Sequence, residues 1–305
     1  MSLRIAAAAF AIAFCGTAAP AAPLTVPFNF SRGVIELDVA VKRVPLHMLL
    51  DTGVDPSVID LARAEALGLR IDRGSGGEVS GVGSATHAEG YDAEIDGLEI
   101  GGRSFSAIDA GATNLEAVSS AYGRPLGGML GYSFLKEKIV LIDYAAKRVS
   151  ILDRVSDAVA ATKRCARHAS MSMRFLKDEN WPLVADFHVG AAVVPVTLDT
   201  GSNDTLSLYQ GALDLEGVRT VLRKESAATS TGLRGSAPLV TYKIDAPLGF
   251  GPLVLPAGEK ATLRDEKGSA TTRFGNVGNT LLASLTPVML LDYRDREMTF
   301  YGGCR

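Results

Sequence analysis

The 305-residue sequence predicts a mostly-β protein with short helices, arranged as two related lobes. Three observations lead there. One stretch of sequence occurs twice. Segments around it alternate apolar and polar residues with the period of a strand. The 32 Gly and 13 Pro are spread along the chain, marking many turns between short strands. Length alone allows one large domain or two ordinary ones, and the recurrence favours two. Hydrophobic residues at 47% and charged residues at 21% describe a chain with a core to bury. Net charge is −3 with no polybasic run, so nothing calls for a nucleic acid or an anionic membrane as partner.

The first element is not part of the fold. Arg4 precedes an apolar run from Ile5 to Cys15, and Ala19-Pro20-Ala21 supplies small residues. This reads as a secretory signal peptide over residues 1–21, cut near Ala21. The run is shorter than the about 20 residues a membrane span needs. Bulky Phe14 stands where lipid attachment at Cys15 would want a small residue. The mature protein is therefore expected outside the cytoplasm, in the periplasm or secreted. Removing Cys15 leaves Cys165 and Cys304. In an oxidising compartment these are expected to pair, the alternative being two free thiols.

The recurrence is the next element. VPLHMLLDTGVDPSVIDL at 44–61 matches VVPVTLDTGSNDTLSLY at 193–209. Each is an apolar run ending in Asp-Thr-Gly, then a polar turn, then a second apolar stretch. Downstream the register holds. Met129-Leu130-Gly131 ends 80 residues after Asp51, and Asn276-Val277-Gly278 ends 79 after Asp199. Asp143 follows Asp51 by 92 residues and Asp292 follows Asp199 by 93, each inside a strand-like run. Residues 35–41 alternate cleanly as a strand, and Tyr91 to Ile100 less cleanly, ahead of a turn at Gly101-Gly102. Ser57 to Leu67 has helical spacing and stops at Gly68. The polar segment 154–166 lies between the copies. The lobes are accordingly placed at 24–153 and 167–305, with 154–166 as linker.

One Asp-Thr-Gly is weak evidence of anything; two at matched positions are strong. Related lobes meet about a two-fold axis, which brings the same patch of each face to face. Gly53 and Gly201 permit close backbone approach. Thr52 and Thr200 can hydrogen-bond across the axis. Asp51 and Asp199 then face each other, cannot both ionise, and share one proton. Such a pair can activate a water with one carboxylate and donate a proton to a carbonyl with the other.

On these motifs the sequence resembles the pepsin-like and retropepsin-like aspartic peptidases, whose signature is Asp-Thr-Gly twice. The first copy, DTGVDPSVIDLARAEALGLR, is especially similar to bacterial single-lobe retropepsin-like proteins. The resemblance extends over both lobes. It implies an acid-protease barrel fold, a cleft between the lobes, Asp51 and Asp199 as catalytic residues, and a peptide or unfolded protein as substrate. It also implies a monomer whose two lobes form a pseudo-dimer, with no cofactor and no metal. Thr52, Gly53, Thr200, Gly201 and Ser202 form the supporting loops, where the Ser202 hydroxyl can bond the Asp199 carboxylate. Val54 stands where Ser, Thr or Ala is usual, removing a donor to Asp51 and shifting the pair toward higher pH. The flap is expected at Ser80, Gly81, Val82 and Gly83, with Ser80 in place of the usual Tyr. These departures leave a second reading, a catalytically inactive relative that binds peptide or inhibits. His47, His87, His168 and His188 lack metal-ligand spacing, and no Gly-x-Ser-x-Gly occurs. Trp181, in Asn-Trp-Pro, is expected to pack at a loop.

Overall fold

Ile139–Asp143 and Val288–Asp292 are apolar at every position but the last and buried throughout. Runs of this kind suit strands covered on both faces. The computed structural model, which describes residues 23–78, 89–175, 180–264 and 273–305, pairs them antiparallel, Ile139 opposite Asp292 and Asp143 opposite Val288. Val140, Ile142, Met289 and Leu291 enter the main core. Ile139, Leu141, Val288 and Leu290 face the other way into a smaller cluster. These two strands are the centre of a six-stranded sheet to which both halves of the chain contribute, in the order Leu24–Pro27, Arg148–Leu152, Ile139–Asp143, Val288–Asp292, Glu297–Cys304 and Cys165–Ser172.

Each half also builds its own sheet. In the first half the neighbours run Arg70–Glu78, Glu89–Ile95, Ile108–Thr113, Ser57–Asp60, Gly128–Leu130, Val44–Leu50 and Glu36–Val41, closed by Leu98–Ile100 and Arg103–Ser104. In the second they run Leu222–Gly232, Gly235–Ile244, Lys260–Arg264, Leu206–Tyr209, Gly275–Gly278, Val196–Asp199 and Pro182–Val184, closed by Arg174–Phe175. The two orders correspond strand for strand through the first seven. In each, the strand that ends at an Asp-Thr-Gly has a short strand parallel to it, Gly128–Leu130 or Gly275–Gly278. A small four-stranded sheet adds Ala192–Val193, His188–Val189, Leu248–Phe250 and Leu253–Leu255. The fold is mostly β with short helices.

Several local expectations change. The helix read over Ser57 to Leu67 covers only Leu61–Ala66; Ser57–Asp60 is a strand parallel to Ile108–Thr113. Val58 and Ile59 are β-branched and pair in the sheet, while Asp60 caps the helix by accepting the Arg63 N–H at 3.0 Å. Glu116–Tyr122 and Asn279–Leu285 are helices that the apolar spacing did not reveal. Segment 154–166 contains a 3-10 turn, Val155–Ala158, and a helical turn, Val159–Thr162, and its end already joins the strand Cys165–Ser172. Residues 1–21 lie outside the described residues.

Asp143 and Asp292 close turns at the ends of the central strands. Asp143 accepts the Ala146 N–H at 2.9 Å and the Arg164 guanidinium at 2.7 Å. Asp292 accepts the N–H groups of Arg294 and Asp295 at 3.0 and 3.1 Å. Cys165 and Cys304 sit opposite each other in the outermost strand pair of the sheet and form a disulfide across 139 residues of chain. Closing so long a loop removes much of the unfolded chain's freedom. Replacing both with Ser is expected to lower stability by about 2–5 kcal/mol. Urea unfolding of the oxidised protein and the double variant measures it, and equal midpoints would contradict it.

Candidate functional site

The strand Val44–Leu50 delivers Asp51, and Val196–Asp199 ends on its own aspartate. Both are held from behind. Leu130 accepts the Asp51 N–H at 3.0 Å, and Gly278 pairs with Asp199 in the parallel ladder. Each loop's direction is therefore set by its own strand and the short parallel strand behind it, and the loops then meet.

Thr52 and Thr200 make the junction. The Thr52 hydroxyl donates to Leu198 O at 2.9 Å and accepts the Thr200 N–H at 3.1 Å. The Thr200 hydroxyl donates to Leu50 O at 2.8 Å and accepts the Thr52 N–H at 3.0 Å. A hydroxyl has one proton and two lone pairs, so each threonine serves one donor and one acceptor of the other loop. Both are buried, at 2% and 0% exposure, so four backbone groups without access to water depend on two side chains.

The glycines report how closely the loops approach. A Cβ on Gly53 would lie 2.9 Å from the Asp199 carboxyl carbon, and one on Gly201 would lie 2.0 Å from Asp51 Oδ2. Each glycine is thus packed against the opposite aspartate, and any larger residue would displace that carboxylate. The Gly53 N–H donates to Asp51 Oδ1 at 2.8 Å. Asp51 is buried and Asp199 is partly exposed. They lie in a cleft of about 960 Å³ lined by both halves of the chain, including Val54, Tyr91 and Tyr122 on one side and Tyr209, Arg264 and Arg273 on the other.

Burial pushes the Asp51 carboxyl up to about 8, the Asp199 charge adds to this, and the Gly53 and Gly201 N–H groups oppose it. Burial also raises Asp199; the Arg264 guanidinium and the Asn276 amide oppose that rise, and Asp204 adds to it. The two carboxyls together therefore resist carrying two negative charges.

Supports that the sequence did not reveal come from further along the chain. Asn276 Nδ2 donates to Asp199 Oδ2 at 3.2 Å. Its Oδ1 accepts from the Thr197 hydroxyl at 2.7 Å and the Tyr209 hydroxyl at 3.1 Å, which fixes the amide's orientation. The only signal was an Asn in a short strand whose counterpart carries Met129. Tyr144 donates to Asn279 Oδ1 at 2.7 Å, and Asn279 Nδ2 donates to Thr200 O at 2.5 Å. A tyrosine of the first half thus steadies the second loop. On the other side, Ser57 Oγ accepts the Gly131 N–H at 3.0 Å.

The remaining expected residues fall as follows. The Ser202 hydroxyl, able by its position to bond Asp199, instead accepts the Asp204 N–H at 3.2 Å, closing its own loop. Val54 packs with Val34, Leu49, Val58 and Met129, so its bulk fills a hydrophobic cluster beside the cleft. Ser80, Gly81, Val82 and Gly83 lie outside the described residues. Trp181 is on a loop, as expected, but it also lines the cleft and carries Arg273 on its ring at 4.1 Å. Glu36, Asp38 and His47 bring ligand atoms within 4.8 Å of one another. Glu36 is already engaged by Arg124 and Asn29, and Asp38 by His47, so the group reads as an ion-paired cluster.

A family model described as aspartyl protease matches residues 37–134, which span the Asp51 loop and the strand Gly128–Leu130 behind it. This part of the chain is an aspartic-protease-like segment. No curated protein matches the chain.

Two expectations follow from the junction and its charges. Thr52→Val removes a donor and an acceptor from buried groups and is expected to cost about 1–3 kcal/mol, with Thr52→Ser recovering most of it, in denaturant unfolding. The second concerns pH. Asp51 holds a proton in the folded protein up to about pH 8, whereas the unfolded chain releases it near 3.8. Between these values the native state binds more protons than the unfolded state, so the contribution of Asp51 to stability declines as pH rises. Asp51→Asn is expected to flatten that decline in urea titrations run from pH 4 to 8, and an unchanged slope would refute the assignment.

Proposed function

We propose that the protein is an aspartic endopeptidase that cleaves extended peptides in the cleft above Asp51 and Asp199. The observation that carries this is the pair of carboxylates set against each other's glycines by the reciprocal threonine bonds. The aspartyl-protease match over 37–134 supports it. On this reading the two halves are lobes of the pepsin and retropepsin type, 24–153 and 167–305, joined by 154–166 and acting as a pseudo-dimer within a monomer. The corresponding strand orders support that organisation.

The mechanism follows from the charges. Two carboxyls this close at the floor of a cleft share one proton across the neutral range. Burial raises both carboxyls, Asp51 up to about 8, while Asn276 and Arg264 oppose the rise at Asp199, so the pair titrates as a unit that keeps one proton. A water between them gives its proton to the ionised carboxylate and attacks the peptide carbonyl. The protonated carboxyl donates to the carbonyl oxygen. The tetrahedral intermediate collapses with proton transfer to the leaving amine, and no covalent link to the enzyme forms.

Export is part of the proposal. The apolar run Ile5 to Cys15 and the Cys165–Cys304 disulfide both support an oxidising compartment. Among the described residues no helix is long and apolar enough to cross a membrane.

Hydrolysis of an unfolded protein by the mature chain, from acid to neutral pH, tests the reading. Asp51→Asn and Asp199→Asn are each expected to reduce the rate by at least about 10²–10⁴-fold. Activity should fall as the last shared proton leaves above about pH 8. Cleavage that survives either substitution would overturn the mechanism. A folded wild type that binds peptides and cleaves none would establish the inactive, peptide-binding alternative.

A further inference from the structure

Arg273 is 8% exposed and lines the same cleft, on the Asp199 side. Its guanidinium lies over the Trp181 ring at 4.1 Å and against the Tyr209 ring at 5.2 Å. Its Nε is buried without a hydrogen-bond partner, and no carboxylate among the described residues pairs with it. A buried cation normally has an anionic partner, because removing it from water otherwise costs several kcal/mol. Nearby Arg264 has such a partner in Asp204, 3.3 Å away. On the opposite wall Glu78 is engaged by Arg234 at 3.5 Å and Asp55 by Asn180 at 2.8 Å.

The geometry explains why the charge is tolerated and what it is suited to. Trp181 and Tyr209 lie against the guanidinium, where cation–π attraction replaces part of its hydration. Ring contacts use none of its N–H groups as conventional donors, and the guanidinium's N–H fork matches a carboxylate's two oxygens.

We propose that Arg273, clamped by Trp181 and Tyr209, is a specificity-determining residue that binds a carboxylate of the substrate beside the Asp51–Asp199 pair. The substrate class is then a peptide bearing Asp or Glu near the bond to be cut, or one presenting its free C-terminal carboxylate. The cleavage part of this inference rests on the peptidase reading; the carboxylate site itself does not.

Binding and cleavage are measured separately. Short fluorescein-labelled apolar peptides carry one Glu or one Gln, each made as the C-terminal acid and the C-terminal amide. Binding by anisotropy uses the Asp51→Asn protein, alone and combined with Arg273→Gln or Arg273→Lys, with thermal melts confirming that each folds. Glu peptides are expected to bind about 10–100-fold tighter than Gln peptides, the ratio falling to about one in Arg273→Gln and partly returning in Arg273→Lys. If acid and amide ends alone discriminate, the bound carboxylate is the chain terminus. If all four peptides bind alike, or the preference survives in folded Arg273→Gln, the inference is wrong. Wild-type digestion of the same peptides, read by mass spectrometry, separates the two readings. Cleavage with no acidic preference overturns the carboxylate site and leaves the peptidase standing. Carboxylate-dependent binding with no cleavage does the reverse.

Discussion

Two threonine hydroxyls hold the centre of this molecule together. Thr52 and Thr200 each satisfy backbone groups of the opposite loop, in a place that water does not reach. Everything at the cleft floor depends on that exchange. It sets the distance between the loops, the distance makes glycine obligatory at 53 and 201, and the glycines let each carboxylate approach the other loop. The electrostatics follow from the same approach. Burial raises both carboxyls, which opposes a second negative charge on the pair.

Around that centre the two sides are not equivalent. Asp199 has the Asn276 amide as a donor and Arg264 nearby, whereas the first loop is backed by Met129 and packed by Val54. The second half is therefore the more polar wall of the cleft. Asn276, fixed by Thr197 and Tyr209, carries the difference from the strand behind the loop out to the carboxylate.

What could be read in advance was what the backbone specifies locally. Asp-Thr-Gly after an apolar strand is visible because the turn, the strand and the charge are consecutive residues, and the mostly-β character shows in period-two runs. The Cys165–Cys304 bond was legible once the compartment was assumed, since only two cysteines remained. Contacts between distant residues were not legible. Tyr144 reaches Asn279 across 135 positions, and no local pattern announces it. The strand at Ser57–Asp60 was misread because Val58 and Leu61 also satisfy a helical spacing; pairing with Ile108–Thr113 decided the matter. Trp181 looked like a loop residue and is one, but its neighbour Arg273 lies 92 residues further on. The partner of Ser202 is not legible either, because a hydroxyl near a carboxylate in sequence can equally bond the backbone of its own turn, as it does at Asp204.

The pairing of Ile139–Asp143 with Val288–Asp292 has a consequence of its own. In the register set by the two aspartates, each strand lies antiparallel to its own counterpart, Ile139 opposite Asp292 and Asp143 opposite Val288. That is the geometry of a self-complementary edge. Without Val288–Asp292, the strand Ile139–Asp143 would be left with one apolar edge unpaired. Covalent continuity fixes the partner in advance. The two walls of the cleft are then free to differ, one carrying Met129 and the other Asn276 and an arginine held by aromatic rings, an asymmetry that two identical copies could never express.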